Sequence, residues 1–348
     1  MAASIFIPAK RGSARVVFLH PLSIVHIDTA RDWRGGQEAL LTLARGLRSR
    51  GHTQTIVCPS GSALAERAAA EQLPVSEQCP RIAGILHAHS GRAQNLAYWA
   101  TLGWPVRRVV TRHVAFAPRH PLVHRLKYKW TCDGIIAVSD SVRRTLLDAG
   151  VPSDKIVTIH TGVEVPESLP RPARAQFGLG ENDFVVGHLG AFTAEKGQDV
   201  AAAAATMLRE TLPRARVVLA GEGPLKSQIA DENVILPGFI TDHAEFFAAL
   251  DLFIMPSRSE AWGLAALEAM AHGVPVIASE IGGLAEIVDA ESGWLVPPGD
   301  PAALARAILS VASNPERLRA AGLKARDRAR LFSVEQMVQQ TEDFYGRP

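Results

Sequence analysis

Short apolar runs alternate with longer amphipathic stretches along most of the chain. The short runs are rich in valine and isoleucine, whereas the longer stretches repeat their apolar residues at helical spacing. Strands are predicted at residues 23–27, 53–58, 85–89, 108–111, 134–139 and 155–159, and again at 184–189, 215–220, 233–236, 252–255, 275–278 and 293–296. Helices are predicted at 36–50, 62–71, 140–149, 198–210, 243–250, 264–272, 302–313 and 315–331. This alternation is typical of βαβ units and predicts an α/β fold with parallel sheets.

The alternation is interrupted by a proline-rich segment near the middle of the chain. Residues 162–172 contain Pro166, Pro170 and Pro172 and show no periodicity. A chain of 348 residues is long for one α/β domain and sufficient for two. We therefore predict two doubly wound domains, 1–165 and 166–333. Residues 1–20 are expected to form a flexible extension or, through residues 15–19, an added edge strand.

Composition and targeting signals favour a cytoplasmic protein. The 47% hydrophobic and 21% charged residues are ordinary for a globular chain. No apolar run approaches the roughly 18–20 residues that span a bilayer. The apolar stretch near the start is broken by His20, Pro21 and His26 and lacks a cleavage site, so we expect no signal peptide. Three cysteines without a CxxC pair suit a reducing compartment.

The net charge of +2 conceals two halves of opposite sign. Residues 1–165 hold 21 basic side chains against 11 acidic ones, and the remainder holds 16 against 24. Much of the basic excess lies in residues 78–132, which contain no acidic residue. Its basic residues are Arg81, Arg92, Arg107, Arg108, Arg112, Arg119, Arg125, Lys127 and Lys129, interleaved with Trp99, Trp104, Phe116, Tyr128 and Trp130.

Aromatic rings beside cations suit an anionic lipid surface. We expect this half to meet an anionic membrane or glycolipid, which would place the protein peripherally at the inner face of the membrane. No RNA-binding signature accompanies the basic stretch, so we expect no nucleic acid partner. A solvated basic face with buried aromatics is the alternative.

Candidate chemistry concentrates between residues 252 and 287. A buried strand leads into a loop and a helix that begins at Gly263, and a second strand and loop follow. Open α/β sheets bind ligands at the carboxyl ends of their strands, so both loops are expected to line a site. The amides of Gly263 and Leu264 would open the helix, where unpaired N–H groups and the dipole favour a phosphate. Glu260 and Glu268, spaced Glu-x7-Glu, would reach the sugar end and the ribose hydroxyls of one ligand.

The segment from Pro256 through Glu268 to the Gly-Val-Pro-Val at 273–276 resembles the signature of family 4 glycosyltransferases. The resemblance extends to Gly282-Gly283, to residues 293–300, and upstream to Gly221-Glu-Gly-Pro and Pro237-Gly-Phe239. It implies a GT-B fold, with two Rossmann-like domains facing each other across a donor-binding cleft. It also implies that a last helix near 334–345 crosses back to the first domain, making 334–348 a separate segment. Phe239 would contact the nucleotide base.

The first half shows fainter features of the same family. Arg34-Gly35-Gly36 resembles the glycine loop after the first strand, where glycine lets backbone approach a diphosphate. His89 resembles the histidine that the family places near the reacting sugar. We also place Arg34, Arg112 and His113 on the acceptor side. The catalytic candidates are His89, Lys196 and Glu260.

One departure concerns the phosphate clamp. Residues 190–197 resemble the family pattern Gly-Arg-x4-Lys-Gly, but Ala191 stands where the arginine usually does. Lys196 would then meet the donor diphosphate without its usual partner. Either another basic residue such as Arg258 or Arg34 substitutes for the arginine, or donor binding is unusual.

The resemblance implies retaining transfer from a nucleotide diphosphate sugar to a hydroxyl of a glycan or glycolipid, commonly in bacterial cell-surface polysaccharide or lipopolysaccharide synthesis. It implies no metal ion and no other cofactor, and the histidines show no ligand spacing in the sequence. A GT-B sugar-nucleotide epimerase, which needs no acceptor, and a non-catalytic sugar-nucleotide-binding protein stay open as alternatives. A dehydrogenase, a GxSxG hydrolase and a P-loop enzyme are disfavoured because their motifs are missing.

Overall fold

A computed structural model describes residues 4–8, 14–18, 21–81, 84–114, 127–128, 130–169, 174–229 and 232–347. The chain divides into two compact units. Unit 1 comprises Met1–Gly162 and Val334–Pro348, and unit 2 comprises Val163–Ser333. The sequence predicts the two boundaries between residues 165 and 166 and between residues 333 and 334.

Unit 1 contains a small hairpin and a parallel sheet. The hairpin pairs β1 (Ser4–Pro8) with β2 (Ala14–Phe18) in antiparallel orientation. The sheet consists of β3 (Ser23–Ile27), β4 (Thr53–Val57), β5 (Val75–Ser76), β6 (Ile85–Ala88), β7 (Arg107–Arg112), β8 (Gly134–Ala137) and β9 (Ile156–Thr158). Its strand order is β5-β4-β3-β6-β7-β8-β9. The expectation that residues 15–19 add an edge strand to this sheet is wrong, because β2 pairs with β1 in a separate sheet.

The helices between these strands are α1 (Gly35–Ser49), α2 (Ala63–Ala70), α3 (Gly91–Ala100) and α4 (Asp140–Asp148). Helix α3 is absent from the sequence prediction. Its side chains Leu96 and Trp99 are exposed, which breaks the apolar periodicity on which that prediction depends. The Ser90 hydroxyl caps the helix by accepting a hydrogen bond from the Ala93 amide.

Unit 2 contains a six-stranded parallel sheet. Its strands are β10 (Phe184–Leu189), β11 (Ala215–Ala220), β12 (Val234–Gly238), β13 (Leu252–Met255), β14 (Val276–Ser279) and β15 (Gly293–Val296), in the order β12-β11-β10-β13-β14-β15. The helices are α5 (Gln198–Leu208), α6 (His243–Ala248), α7 (Leu264–Ala271), α8 (Leu284–Ile287), α9 (Pro301–Ala312) and α10 (Pro315–Ala329).

Each sheet reverses its strand order once. In unit 1 the reversal lies between β3 and β6, and in unit 2 between β10 and β13. Such a switch point leaves a crevice at the carboxyl ends of the two strands, where open α/β sheets bind ligands. Both units are therefore Rossmann-like and doubly wound, as the sequence predicts.

The last helix, α11 (Val334–Tyr345), belongs to unit 1 and packs against α1. Met337, Val338 and Phe344 are buried in the same apolar cluster as residues of α1 and the sheet. At Gly46 a side chain is excluded, because a Cβ there would lie 2.4 Å from Val338. Glu342 accepts hydrogen bonds from Arg50 and His52 at 2.5 and 2.8 Å. The end of the chain thus completes the core of the first unit.

Candidate functional site

Two loops of unit 2 are joined at the switch point. The Arg258 amide donates to the Glu195 carbonyl at 2.7 Å, which links the loop after β13 to the loop after β10. Gly197 has a φ of 71°, and a Cβ there would lie 2.1 Å from the Pro256 carbonyl oxygen. Glycine is therefore required for this close approach.

The loop after β14 supports the same site from the other side. At Gly282, with a φ of 48°, a Cβ would lie 1.9 Å from the Glu260 carbonyl oxygen. The backbone of Glu260 is therefore packed directly against the Gly282-Gly283 turn. This contact and the positive φ explain why position 282 requires glycine.

Lys196 and Glu260 are brought together by these loops. The Lys196 ammonium lies 2.6 Å from Glu260 Oε2, and both side chains are largely buried. The pair lies where β10 and β13 end, in the crevice that the strand order creates. A positive charge is therefore held in place at the switch point.

The neighbourhood of Ala191 contains two further basic side chains. Both Nη atoms of Arg258 donate to the Asp199 carboxylate, at 2.8 and 2.6 Å, and Nη1 also donates to the Ala194 carbonyl. The hydrogen bond from Arg258 lowers the pKa of Asp199. His188 is buried with its Nδ1 3.0 Å from the Ile254 carbonyl, and burial lowers its pKa to about 4. A neutral His188 whose Nδ1 donates presents an unprotonated Nε2, which cannot replace a clamp arginine.

Helix α7 begins at Leu264, after Gly263 with a φ of 105°. A Cβ at Gly263 would lie 2.4 Å from Leu284, so glycine is needed for α7 and α8 to approach. Glu268 lies on α7 and its Oε2 is 3.0 Å from Nδ1 of His243, a contact absent from the sequence analysis. Phe239 follows β12 and is 52% exposed.

In unit 1, three buried histidines and the partly buried His113 gather where β3, β6 and β7 end. His26 and His87 are register partners on β3 and β6, and His89 follows β6. The His87 and His89 rings lie 4.1 Å apart, and the His113 ring stacks on His89 at 5.9 Å. The His113 ring also packs on Gly36, where a Cβ would lie 3.5 Å from its Cγ. The predicted residues His89, His113 and Gly36 are therefore neighbours.

Burial lowers the pKa of each of these histidines. The pKa falls to about 4 for His26 and His113 and well below the usual value for His87 and His89. All four are therefore neutral at pH 7.

The nitrogens of His26, His87 and His89 lie within 4.8 Å of one another, a grouping that the sequence spacing conceals. His87 has a hydrogen-bond partner at each ring nitrogen, the Tyr345 hydroxyl at 2.6 Å and the Thr111 hydroxyl at 2.7 Å. His26 and His89 alone offer fewer than the three protein ligands that zinc usually takes. The donor set therefore fits a hydrogen-bonded cluster better than a metal site.

A cavity of about 510 Å³ opens after β3 of unit 1. It is lined by Thr29, Ala30, Arg31, Asp32, Arg34, Gln37 and Arg92. Gly35 and Gly36 form the first turn of α1, and the Arg34 amide donates to Gln37 Oε1 at 3.1 Å. Three arginines outnumber the Asp32 carboxylate, which lies 3.9 Å from Arg34, and together with the amino end of α1 they favour an anion in this cavity.

The aromatic and basic side chains of residues 78–132 differ in their exposure and contacts. Tyr128 is buried, whereas Trp99 and Trp130 are 71% and 67% exposed. Arg112 lies beside Gly91, and the Lys127 ammonium donates to the Gly91 carbonyl at 3.0 Å. Phe116, Arg119, Arg125 and Lys129 lie outside the described residues. In the part of the chain that the structure describes, no helix is long and apolar enough to cross a membrane.

Sequence reasoning missed several residues that contact the predicted ones. His26, Gln54, Asp199 and His243 carry no motif, and each becomes relevant only through a partner distant in the chain. Arg92 lies in the first turn of α3, four residues after β6 ends, and this place beside a strand end could have marked it as a cavity residue.

Comparison with known proteins shows two matches to family profiles. "Glycosyl transferases group 1" matches residues 183–314, and "Glycosyltransferase Family 4" matches residues 33–166. The chain is 30% identical over 312 residues to a D-inositol 3-phosphate glycosyltransferase of Segniliparus rotundus, covering 76% of this chain and 69% of that protein. It is 35% identical over 187 residues to a GDP-mannose-dependent alpha-(1-6)-phosphatidylinositol dimannoside mannosyltransferase of Mycobacterium tuberculosis, covering 51% and 48%. The matched region spans about half the length of the mannosyltransferase and of some other curated relatives.

Among solved structures, HepE from Anabaena, crystallised with UDP and glucose, aligns with a TM-score of 0.83 at 22% identity. The alignment covers 94% of this chain and 100% of that one. Both halves of the sequence match glycosyltransferase profiles, and both folded units are Rossmann-like. The chain therefore belongs to the family 4 glycosyltransferases and has their GT-B fold.

Proposed function

We propose that this protein transfers a sugar from a nucleotide diphosphate sugar to a hydroxyl of a glycan or glycolipid, with retention at the anomeric carbon. The pathway would be bacterial cell-surface polysaccharide or lipopolysaccharide synthesis. The observation that carries the proposal is the 2.6 Å contact of Lys196 with Glu260 at the switch point of unit 2. The crystal structures of HepE with UDP and with UDP-glucose support a donor of this class.

In the proposed reaction, the bond between the anomeric carbon and a phosphate oxygen breaks, and the acceptor oxygen bonds to the same face of that carbon. The proton of the acceptor hydroxyl passes to the leaving diphosphate. Lys196 and the amides of Gly263 and Leu264 stabilise the negative charge that grows on the diphosphate. Because these groups supply positive charge, we propose that no metal ion is required.

The remaining donor contacts follow from the positions of the side chains in unit 2. Glu260 holds Lys196 in place and accepts hydrogen bonds from sugar hydroxyls. Glu268 contacts His243, and it accepts hydrogen bonds from the ribose of the bound donor. The exposed ring of Phe239 stacks on the base.

Arg258 supplies the charge that the clamp lacks at Ala191. Its bond to Asp199 joins side chains that are 41% and 56% exposed, and such pairs contribute little to stability. A diphosphate, with more negative charge than one carboxylate, can therefore compete for the guanidinium.

The cavity of unit 1 favours an anionic acceptor. Arg31, Arg34 and Arg92 line it, and guanidinium groups bind phosphate and carboxylate with matched geometry. His89, Arg112 and His113 complete the acceptor side at the ends of β6 and β7. An acceptor bound in this cavity would make the protein a transferase, because an epimerase needs no second substrate.

A membrane contact would bring a lipid-linked acceptor to this cavity. Arg92, Leu96 and Trp99 are exposed at helical spacing on α3, and so form one face with a cation and two apolar groups. Sedimentation with vesicles of phosphatidylglycerol should recover the protein, whereas phosphatidylcholine vesicles should not. The double variant Leu96→Ser, Trp99→Ser should abolish the binding, and Leu323→Ser, at a 71% exposed leucine of unit 2, should not. Equal recovery with both lipids would argue against an anionic surface.

The donor is tested by incubating the protein with UDP-, GDP-, ADP- and dTDP-sugars and measuring binding and slow hydrolysis by mass spectrometry. Glu260→Gln should abolish hydrolysis of the donor that binds. The matched control Glu291→Gln removes a carboxylate that pairs with Lys324 at 3.3 Å in the same unit, and should leave hydrolysis unchanged. Conversion of a sugar nucleotide into an epimer without an acceptor would show an epimerase, and binding without any turnover would show a non-catalytic protein.

A further inference from the structure

A buried series of hydrogen bonds in unit 1 ends at His89. The Gln54 side chain donates from Nε2 to the Ala44 carbonyl at 2.7 Å. Its Oε1 lies 2.9 Å from Nε2 of His26, and Nδ1 of His26 lies 3.1 Å from Nε2 of His89. Gln54, His26 and His89 are all buried. Each group therefore depends on its neighbours rather than on water for its hydrogen bonds.

The direction of every hydrogen bond in this series is determined by its first member. A backbone carbonyl can only accept, so the amide nitrogen of Gln54 faces Ala44 and the amide oxygen faces His26. That oxygen also only accepts, so the proton of the neutral His26 ring is on Nε2. Its Nδ1 then carries a lone pair and accepts from His89, whose proton is therefore on Nε2.

The second nitrogen of His89 consequently carries a lone pair. His89 Nδ1 is buried and has no hydrogen-bond partner among the described residues. The ring also contacts His87 and His113, whose ring centroids lie 4.1 and 5.9 Å from its own. Nδ1 thus stays at one place beyond the end of β6, at the switch point of unit 1.

We propose that His26 and Gln54 are positioning residues that fix the tautomer of His89, and that His89 Nδ1 accepts a hydrogen bond from a hydroxyl of the bound substrate. The second part rests on the proposed function. An unprotonated ring nitrogen repels phosphate, carboxylate and carbonyl oxygens, but it binds an O–H donor. The tautomer therefore makes His89 selective for a sugar hydroxyl and excludes a role in binding the diphosphate.

The tautomer is measured on the free protein, without any substrate. Nitrogen-15 NMR of protein labelled in histidine distinguishes protonated from unprotonated ring nitrogens, and the signals of His89 are assigned by their loss in His89→Gln. We expect an unprotonated Nδ1 and a protonated Nε2 at pH 7. A protonated Nδ1 would overturn the proposal, and so would a stoichiometric metal ion found by elemental analysis, because it would replace the hydrogen bond to His26.

Two substitutions of His26 separate positioning from folding. His26→Asn keeps an oxygen near the place of Nδ1 and should preserve the His89 tautomer, whereas His26→Leu removes the acceptor and should leave His89 a mixture of tautomers. His52→Leu is the control, because it removes another buried histidine of unit 1 that is bonded to Glu342 and the Leu22 amide. It should lower stability without changing the His89 signals. A tautomer unchanged in His26→Leu would refute the positioning role.

Turnover provides the second measurement. His26→Leu should lower kcat about tenfold or more while leaving donor affinity unchanged, and His26→Asn should recover most of the loss. A substrate with fluorine in place of the contacted hydroxyl cannot donate and should lose about the same factor with the wild type but not with His89→Phe, whose ring has no acceptor nitrogen. If no transfer is found with any donor, the proposed function fails, while the NMR result still decides the tautomer.

Discussion

Lowering the pH from 7 to 5 is expected to destabilise unit 1 more than unit 2. Burial lowers the pKa of His26 and His113 from 6.5 to about 4, and lowers that of His87 and His89 well below 6.5. In the unfolded chain these side chains return to about 6.5. The unfolded state therefore binds more protons than the folded state between pH 6.5 and 4, and stability falls as the pH falls through this window.

The magnitude follows from proton linkage. A histidine whose pKa changes from 6.5 to about 4 loses about 2 kcal/mol of stabilisation between pH 7 and pH 5. His26 and His113 together therefore contribute about 4 kcal/mol, and His87 and His89 act in the same direction. In unit 2, burial also lowers the pKa of His188 to about 4, which corresponds to about 2 kcal/mol. Domains are stable by about 5–15 kcal/mol, so unit 1 should approach unfolding by pH 5.

Hydrogen exchange followed by mass spectrometry is the appropriate assay, because the two units need not unfold together. Peptides from β3, β6 and β7 should lose at least about 4 kcal/mol of opening free energy between pH 7 and 5, and those from β10 and β13 about half as much. His113→Phe should remove about 2 kcal/mol of the pH dependence in unit 1, and His188→Phe should change unit 2 alone. Equal losses in both units, or a unit 1 that is equally stable at both pH values, would refute the reasoning.

Three further substitutions test the donor site. Glu268→Ala should weaken nucleotide binding by about 1.5–3 kcal/mol, tenfold or more in Kd, since the ribose loses a charged acceptor. Calorimetry that shows equal affinity in a folded variant would contradict the ribose role of Glu268. Lys196→Ala should lower kcat more than donor affinity, because the charge on the diphosphate grows as the bond breaks. Equal losses in kcat and affinity would indicate a binding residue only. Lys324→Ala, which removes an exposed lysine of the same unit, is the control. Gly282→Ala should destabilise unit 2 by about 1–3 kcal/mol and displace Glu260, because its Cβ meets the Glu260 carbonyl; a variant with wild-type stability and turnover would contradict this packing.

The fold could be derived largely from the sequence. Apolar runs and amphipathic stretches predicted both parallel sheets, because strand and helix periodicities are local properties of the chain. The elements that were missed have weak local signals. The two-residue strand β5 is too short to show alternation, and α3 exposes the apolar residues that would have defined its buried face.

The chemistry of the donor loops could also be anticipated, because the glycines and carboxylates of the signature are close in the chain. Gly263, Gly282 and Glu268 are all named through the resemblance of their segments to the family signature. The contacts between the loops could not be anticipated, since Lys196 meets Glu260 across 64 residues of sequence and Arg258 meets Asp199 across 59. A salt bridge between loops depends on strand order, and strand order is a property of the folded sheet.

The histidines show most clearly which features depend on the sequence alone and which depend on the folded structure. By itself the sequence determined that two α/β units exist, that glycines and carboxylates follow particular strands, and that His89 lies at the end of one of these strands. Only the tertiary structure placed His26 and Gln54 beside His89, because parallel pairing of β3 with β4 and β6 aligns residues that are far apart in the chain. Burial then determined their charge, because the pKa of a histidine depends on the water that surrounding elements exclude from it.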